Sequence, residues 1–156
     1  MPNWCEGILK VRGTKEEVKS FLLGALQPIP DGIFEPVPVE KEVSEDEWEL
    51  NLSAKNGFHV KGSRRNFIEN SIEFYFDTEG EIKVCAIDGY KAAWDIDVEA
   101  LVNNSKEYNV DLKIYAFERG QEFNRDIEIH KGSIIKNNEI TFDNYDWECI
   151  NPSMGG

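Results

Sequence analysis

The chain has 156 residues, of which 30 are Asp or Glu and 17 are Lys or Arg, for a formal net charge of −13. A charge this negative repels phosphate backbones, which argues against direct nucleic-acid binding, and it suits a partner with a basic surface. Hydrophobic content of 40% and aromatic content of 12% exclude a disordered chain and predict a single domain over 1–156 with a real core.

Residues 5–13 read as a first strand, with Ile8, Lys10 and Arg12 alternating against Leu9 and Val11. Thr14-Lys15-Glu16-Glu17 has the form of a capping box, Thr14 capping a helix start and Glu17 reaching back. Val18, Phe21, Leu22, Ala25 and Leu26 follow at helical spacing, and Pro28 and Pro30 are expected to end the helix. Residues 27–47 form an acidic, proline-containing insertion, expected to be irregular. Seven acids lie from Glu35 to Glu49 against the single cation Lys41. In this acidic run Glu42, Glu45, Asp46, Glu47, Trp48 and Glu49 are the candidate contacts for a partner, the alternative being a solvated insertion.

Trp48, Leu50 and Leu52 alternate with Glu49 and Asn51 in a half-buried strand over 47–53. Asn56-Gly57 signals a hairpin, with 58–62 as the return strand. Lys55, Lys61, Arg64 and Arg65 form the only basic island and are expected to pair with the chain's own carboxylates. Ile72, Phe74 and Phe76 share one face of a strand over 71–77, joined through Thr78-Glu79-Gly80 to 81–87 as a second hairpin. Trp94-Asp95-Ile96-Asp97 opens a second helix, capped by Asp95 or Asp97, with Val98, Leu101, Val102, Ser105 and Tyr108 on one stripe and Asn109 as a left-handed stop. Leu112, Ile114 and Ala116 then alternate with Lys113, Tyr115 and Phe117, the pattern of a central strand that is apolar on both faces. Turns at Arg119-Gly120 and Lys131-Gly132 frame a strand over 122–130, and Asn137-Asn138 divides 133–136 from 139–143. The C-terminal segment, 143–156, carries large apolar residues and should dock on the body, with 153–156 loose.

This order predicts an α+β fold: a ferredoxin-like βαββαβ core with an antiparallel sheet, extended by extra β-hairpins and the acidic insertion. Chemistry is sparse. Cys5, Cys85 and Cys149 are scattered and odd in number, and the opening residues do not read as a secretory leader, so free buried thiols in a reducing cytoplasm are expected. No apolar run approaches the roughly 20 residues that span a bilayer. His59 and His130 are the only histidines, and no local signature pairs either with a cysteine nucleophile. Cys-x-x-Cys spacing, a glycine-rich phosphate loop and the register of a calcium loop are missing, so no catalytic residue, metal or cofactor is expected. Tyr75, Tyr115 and Phe117 are aromatics of the kind RNA-binding sheets expose, but they lack a basic surround and should serve packing.

Several segments together resemble a known group. Met1-Pro2-Asn3-Trp4-Cys5, Trp94-Asp95-Ile96-Asp97, Tyr115 to Phe123 and Trp147-Glu148-Cys149-Ile150-Asn151-Pro152 are similar to the Api-type and YubB-like proteins carried by bacteriophages and plasmids. The resemblance spans both ends and the middle and leaves the acidic insertion unmatched. It implies a ferredoxin-like domain and a mobile-element origin, and it supplies no activity or catalytic residues to carry over.

The first expectation is therefore a non-catalytic acidic binding protein engaging a basic surface of a host nucleic-acid-handling or defence protein in the bacterial cytoplasm. A second is a small-molecule or metal pocket between the sheet and the C-terminal segment, from Trp94, Tyr115, Asp146 and Trp147. A third is a virion or structural accessory protein.

Overall fold

The computed structural model describes every residue, Met1–Gly156. The first strand, β1 (Trp4–Thr14), turns Leu9 and Val11 into the interior and leaves Ile8, Lys10 and Arg12 open to solvent. Thr14 then caps α1 (Lys15–Ala25): its hydroxyl accepts from the Glu17 amide, and the Glu17 carboxylate accepts from the Thr14 amide. Val18, Phe21, Leu22 and Ala25 are all fully buried. The prolines do not end this helix. It stops at Ala25, and the chain passes directly into β2 (Leu26–Pro28), a sheet-edge strand where proline is tolerated.

The expected irregular insertion contains a strand, β3 (Glu42–Glu45), which pairs with β4 (Glu49–Ser53). Next come β5 (Phe58–Val60), β6 (Asn66–Ile68), β7 (Ile72–Tyr75) and β8 (Ile82–Ala93). Neither expected hairpin forms here. After the Asn56-Gly57 turn the chain leaves β4 for a different sheet, where β5 pairs with β2 and β6. Across Thr78-Glu79-Gly80, β7 remains with β4 while β8 pairs with β1 and β6. The reason is burial: Ile72 and Phe74 on β7 complete the apolar face begun by Leu50 and Leu52 on β4, all four almost wholly inaccessible.

The helix α2 (Val98–Tyr108) is capped by Asp97, whose carboxylate accepts from the Ala100 amide at 3.3 Å, and stops at Asn109 with φ 56°. Its inward face is Ala100, Leu101, Asn104 and Ser105, with Val98, Val102 and Tyr108 partly buried beside it. It leads into β9 (Asp111–Glu118), β10 (Phe123–His130) and β11 (Ser133–Thr141). Asn137 and Asn138 do not divide β11, because both are in register with β10 and bonded to Arg125. A single helical turn, α3 (Tyr145–Glu148), follows.

The result is α+β with every strand pairing antiparallel: an eight-stranded sheet ordered β11-β10-β9-β1-β8-β6-β5-β2 and a three-stranded sheet ordered β3-β4-β7. On one face of the large sheet, α1 and α2 pack side by side. The small sheet is fastened on the same side: Lys15 lies 4.1 Å over the Phe76 ring, and the Cys85 thiol meets the Glu73 carbonyl at 3.7 Å. One cluster of 28 buried side chains runs beneath both sheets, so neither has a core of its own. The three cysteines are free and buried, and burial pushes the thiols of Cys5 and Cys85 up to about 12. No helix is long and apolar enough to cross a membrane.

The opposite face of the large sheet is open except where the C-terminal segment crosses it. Tyr145 donates its hydroxyl hydrogen to Asn124 Oδ1 at 3.2 Å, and Asn124 Nδ2 donates to the Tyr115 hydroxyl at 3.1 Å. The last residues are not loose: the Gly156 amide donates to the Trp4 carbonyl at 2.8 Å. A side chain at Gly155, where φ is +82°, would collide with the Phe117 and Trp4 carbonyls.

Candidate binding surfaces

The six acidic-segment candidates fall together on the β3–β4 hairpin. β3 is an edge strand, exposed at all four residues, with no strand on its outer side. Asp46 makes the turn by accepting from the Trp48 amide at 2.7 Å and the Glu49 amide at 3.0 Å. That turn ends the strand pattern before Trp48, whose ring is 51% exposed rather than packed with Leu50 and Leu52. Val43, on β3, is 49% exposed.

The cations near this hairpin neutralise little of it. The ammonium of Lys41 turns inward onto the carbonyls of Leu23 and Leu26 at the C-terminal end of α1, which has no basic residue of its own in its last turn. Desolvation there lowers the Lys41 pKa. Lys19 reaches Glu45 at 2.5 Å. Glu42 accepts from the Ser53 hydroxyl at 3.4 Å, and Glu42, Asp46, Glu47 and Glu49 make no ion pair. A shallow hollow of about 450 Å³ crosses the outer face of the same sheet, between Glu42, Ser44, Asn51, Ser53 and Glu73.

The four pocket candidates are not brought together. Tyr115 lines a cleft of about 470 Å³ between β1, β9 and the C-terminal segment, with Ile8, Lys10, Lys113, Phe117 and Met154. Trp94, Asp146 and Trp147 lie outside it. Trp94 sits in a turn at φ 69°, with its ring 57% exposed. The single turn of α3 buries Tyr145 and leaves Trp147 85% exposed, with Asp146 also outward. No set of three or more His, Cys, Asp and Glu side chains is arranged to hold a metal.

Half of the basic island is used internally. Lys55 pairs with Asp31 and Lys61 with Glu107, each at 2.8 Å, while Arg64 and Arg65 make no ion pair.

The principal polar constellation missing from the sequence reading is centred on Arg125. Its Nη1 donates to both Asp95 carboxylate oxygens at 2.6 Å, its Nη2 to Asn137 Oδ1 at 2.5 Å and its Nε to the Asn138 carbonyl at 3.3 Å. Its side chain is only 10% exposed, so the charge is held among partners, and Asp95 is thereby taken from the capping role. The signal was present: Arg125 shares the odd parity of Ile127 and Ile129, the inward face of β10. A second buried set joins Asn66, Tyr90 and the Asp97 backbone, with the Tyr90 hydroxyl 2.9 Å from Asn66 Oδ1. Both sets fix the entry to α2, and neither opens onto a cleft with a nucleophile. No family model, curated protein or solved structure matches the chain.

Proposed function

We propose that this chain is a non-catalytic acidic binding protein of a phage or other mobile element, acting in the bacterial cytoplasm. Its β3–β4 hairpin would engage a basic surface of a host nucleic-acid-handling or defence protein. One observation carries the reading: of the five acids from Glu42 to Glu49, only Glu45 is ion-paired, and they lie along and just beyond an edge strand whose outer side has no partner strand. Open strand edges invite pairing with another chain, and acids along one restrict the partner to a basic segment. The exposed Trp48 is the kind of aromatic anchor that interfaces use.

The strand order β9-β1-β8-β6, with α1 following β1 and α2 joining β8 to β9, supports a ferredoxin-like core, with β10, β11, β5 and β2 as sheet extensions and β3-β4-β7 as an added layer. That arrangement agrees with what the resemblance to the Api-type and YubB-like proteins implies.

The test is capture from nuclease-treated host lysate by the protein and by a Glu42→Gln/Glu47→Gln/Glu49→Gln variant. The ionic strength would be raised from about 0.1 M to about 1 M, over which the screening length falls from roughly 10 Å to roughly 3 Å. One stoichiometric protein, lost both with salt and with the variant, is the expected result. Retention by the variant sinks the assignment of this surface.

A further inference from the structure

Lys10 and Lys113 stand directly opposite one another across β1 and β9. Like charges in that register destabilise a sheet unless something neutralises them. Lys113 has Glu128 at 3.3 Å, but Glu128 is also 2.9 Å from His130. Arg12 is committed to Asp111 at 2.6 Å. Lys10 has no carboxylate partner, and its neighbour across β8 is Ala86. Three permanent cations therefore share two carboxylates at the centre of the open sheet face, in a chain whose net charge is −13.

The lysine pair is also the waist of a longer groove. On one side lies the 470 Å³ cleft, floored by Tyr115 and Phe117, whose rings meet edge to face at 5.2 Å. Asn124 fixes the Tyr115 hydroxyl at 3.1 Å, and Asn151 and Met154 of the docked C-terminal segment form the opposite wall. On the other side a hollow of about 210 Å³ continues toward Arg12 and His130, and Lys10 and Lys113 line both spaces.

We propose that this groove binds a nucleoside phosphate, with the phosphate at the Lys10–Lys113 waist and the base laid against Tyr115 and Phe117 beneath Met154. Two ammonium groups supply charge-assisted donors to phosphate oxygens, and aromatic rings stack a base without regard to its identity. The larger cleft falls within the roughly 300–1,000 Å³ of small-molecule sites. A bare phosphate would leave the aromatic end empty. A polymer would carry its further phosphates out of the groove and over an acidic surface, so affinity does not climb with strand length. The phosphate-bearing base could arrive as a free mononucleotide or as the end of a single strand.

Calorimetric titration with the four 5′-mononucleotides tests this, set beside inorganic phosphate, an unphosphorylated nucleoside and 5′-phosphorylated single strands of increasing length. The expected result is mononucleotide binding at least about tenfold tighter than phosphate or nucleoside alone, with Lys10→Gln weakening it about tenfold and Lys10→Arg largely preserving it. In the free protein, Lys10→Gln should leave the melting temperature unchanged or raised, because it relieves the opposed lysines. Four results would each overturn the proposal: no binding at millimolar mononucleotide, equal binding of phosphate alone, binding unaffected by Lys10→Gln, or affinity that climbs with strand length. A single strand that binds like the mononucleotide at every length assigns the site to a strand end; one that binds more weakly assigns it to the free nucleotide. This groove lies on a different sheet from the acidic hairpin, so its failure leaves that surface untouched.

Discussion

The β3–β4 hairpin and the open face of β1 and β9 meet solvent with opposite treatments of the same charges. At the hairpin Lys41 is turned onto the end of α1 and Lys19 matches only Glu45, which leaves the other acids unmatched at the surface. On the large sheet it is the carboxylates that are used up, by Arg12, Lys113 and His130, and Lys10 is left over. A net charge of −13 therefore describes neither region, and surface function depends on which charges the fold has already spent on itself.

The comparison is most severely broken by removing the core the two regions share. Phe74 is fully buried beneath the small sheet. Phe74→Ala should destabilise by about 3–5 kcal/mol, read by chemical denaturation, and it should do so in one transition for both sheets. A separate early loss of the small sheet would mean that the hairpin is an appendage and not part of a common core.

Smaller in effect is Arg125→Met, which retains the aliphatic stem and leaves Asp95 and Asn137 without their donor. A loss of about 3 kcal/mol is expected, largely restored by adding Asp95→Asn. If the double variant is no better than the single one, the pair is not the source of the stability.

The smallest expected effect sharpens the electrostatic side. Lys113 donating to Glu128, with Lys113 and His130 charges adding to it, holds the Glu128 carboxyl below its ordinary 4.5. A depressed folded-state pKa contributes stability above the unfolded value, and that contribution is lost as pH falls through the lowered one. Lys113→Met should flatten the stability profile below about pH 4.5 and leave its shape near neutrality unchanged. An unchanged acid limb would show that Lys113 is not what holds Glu128.

What could be read in advance was local. The capping box at Thr14 and Glu17, the buried stripe of α1, the left-handed stop at Asn109 and the alternation in β1, β4, β7 and β9 follow from spacing alone. Strand partners did not, because Asn56-Gly57 and Thr78-Glu79-Gly80 announce a turn without saying which sheet receives the chain. Asn137-Asn138 looked like a break because asparagine favours turns, and the β10 ladder with a buried guanidinium from that strand holds it extended. The acidic hairpin was visible as composition, but the inward turn of Lys41 that leaves its acids unmatched is a tertiary fact. Likewise Lys10 and Lys113 are more than 100 residues apart, and nothing short of the β1–β9 register sets them face to face.

That register has a consequence for how the protein is made. β1 precedes both of its partners in the chain: Leu9 and Val11 lie opposite Ile87 and Cys85 on β8, and opposite Ile114 and Leu112 on β9. At roughly 5–20 residues per second the last of these partners follows by about 5–20 s. For that interval the centre of the future sheet is an unpaired, half-apolar strand, followed by an 11-residue helix too short to hold without the sheet it packs on.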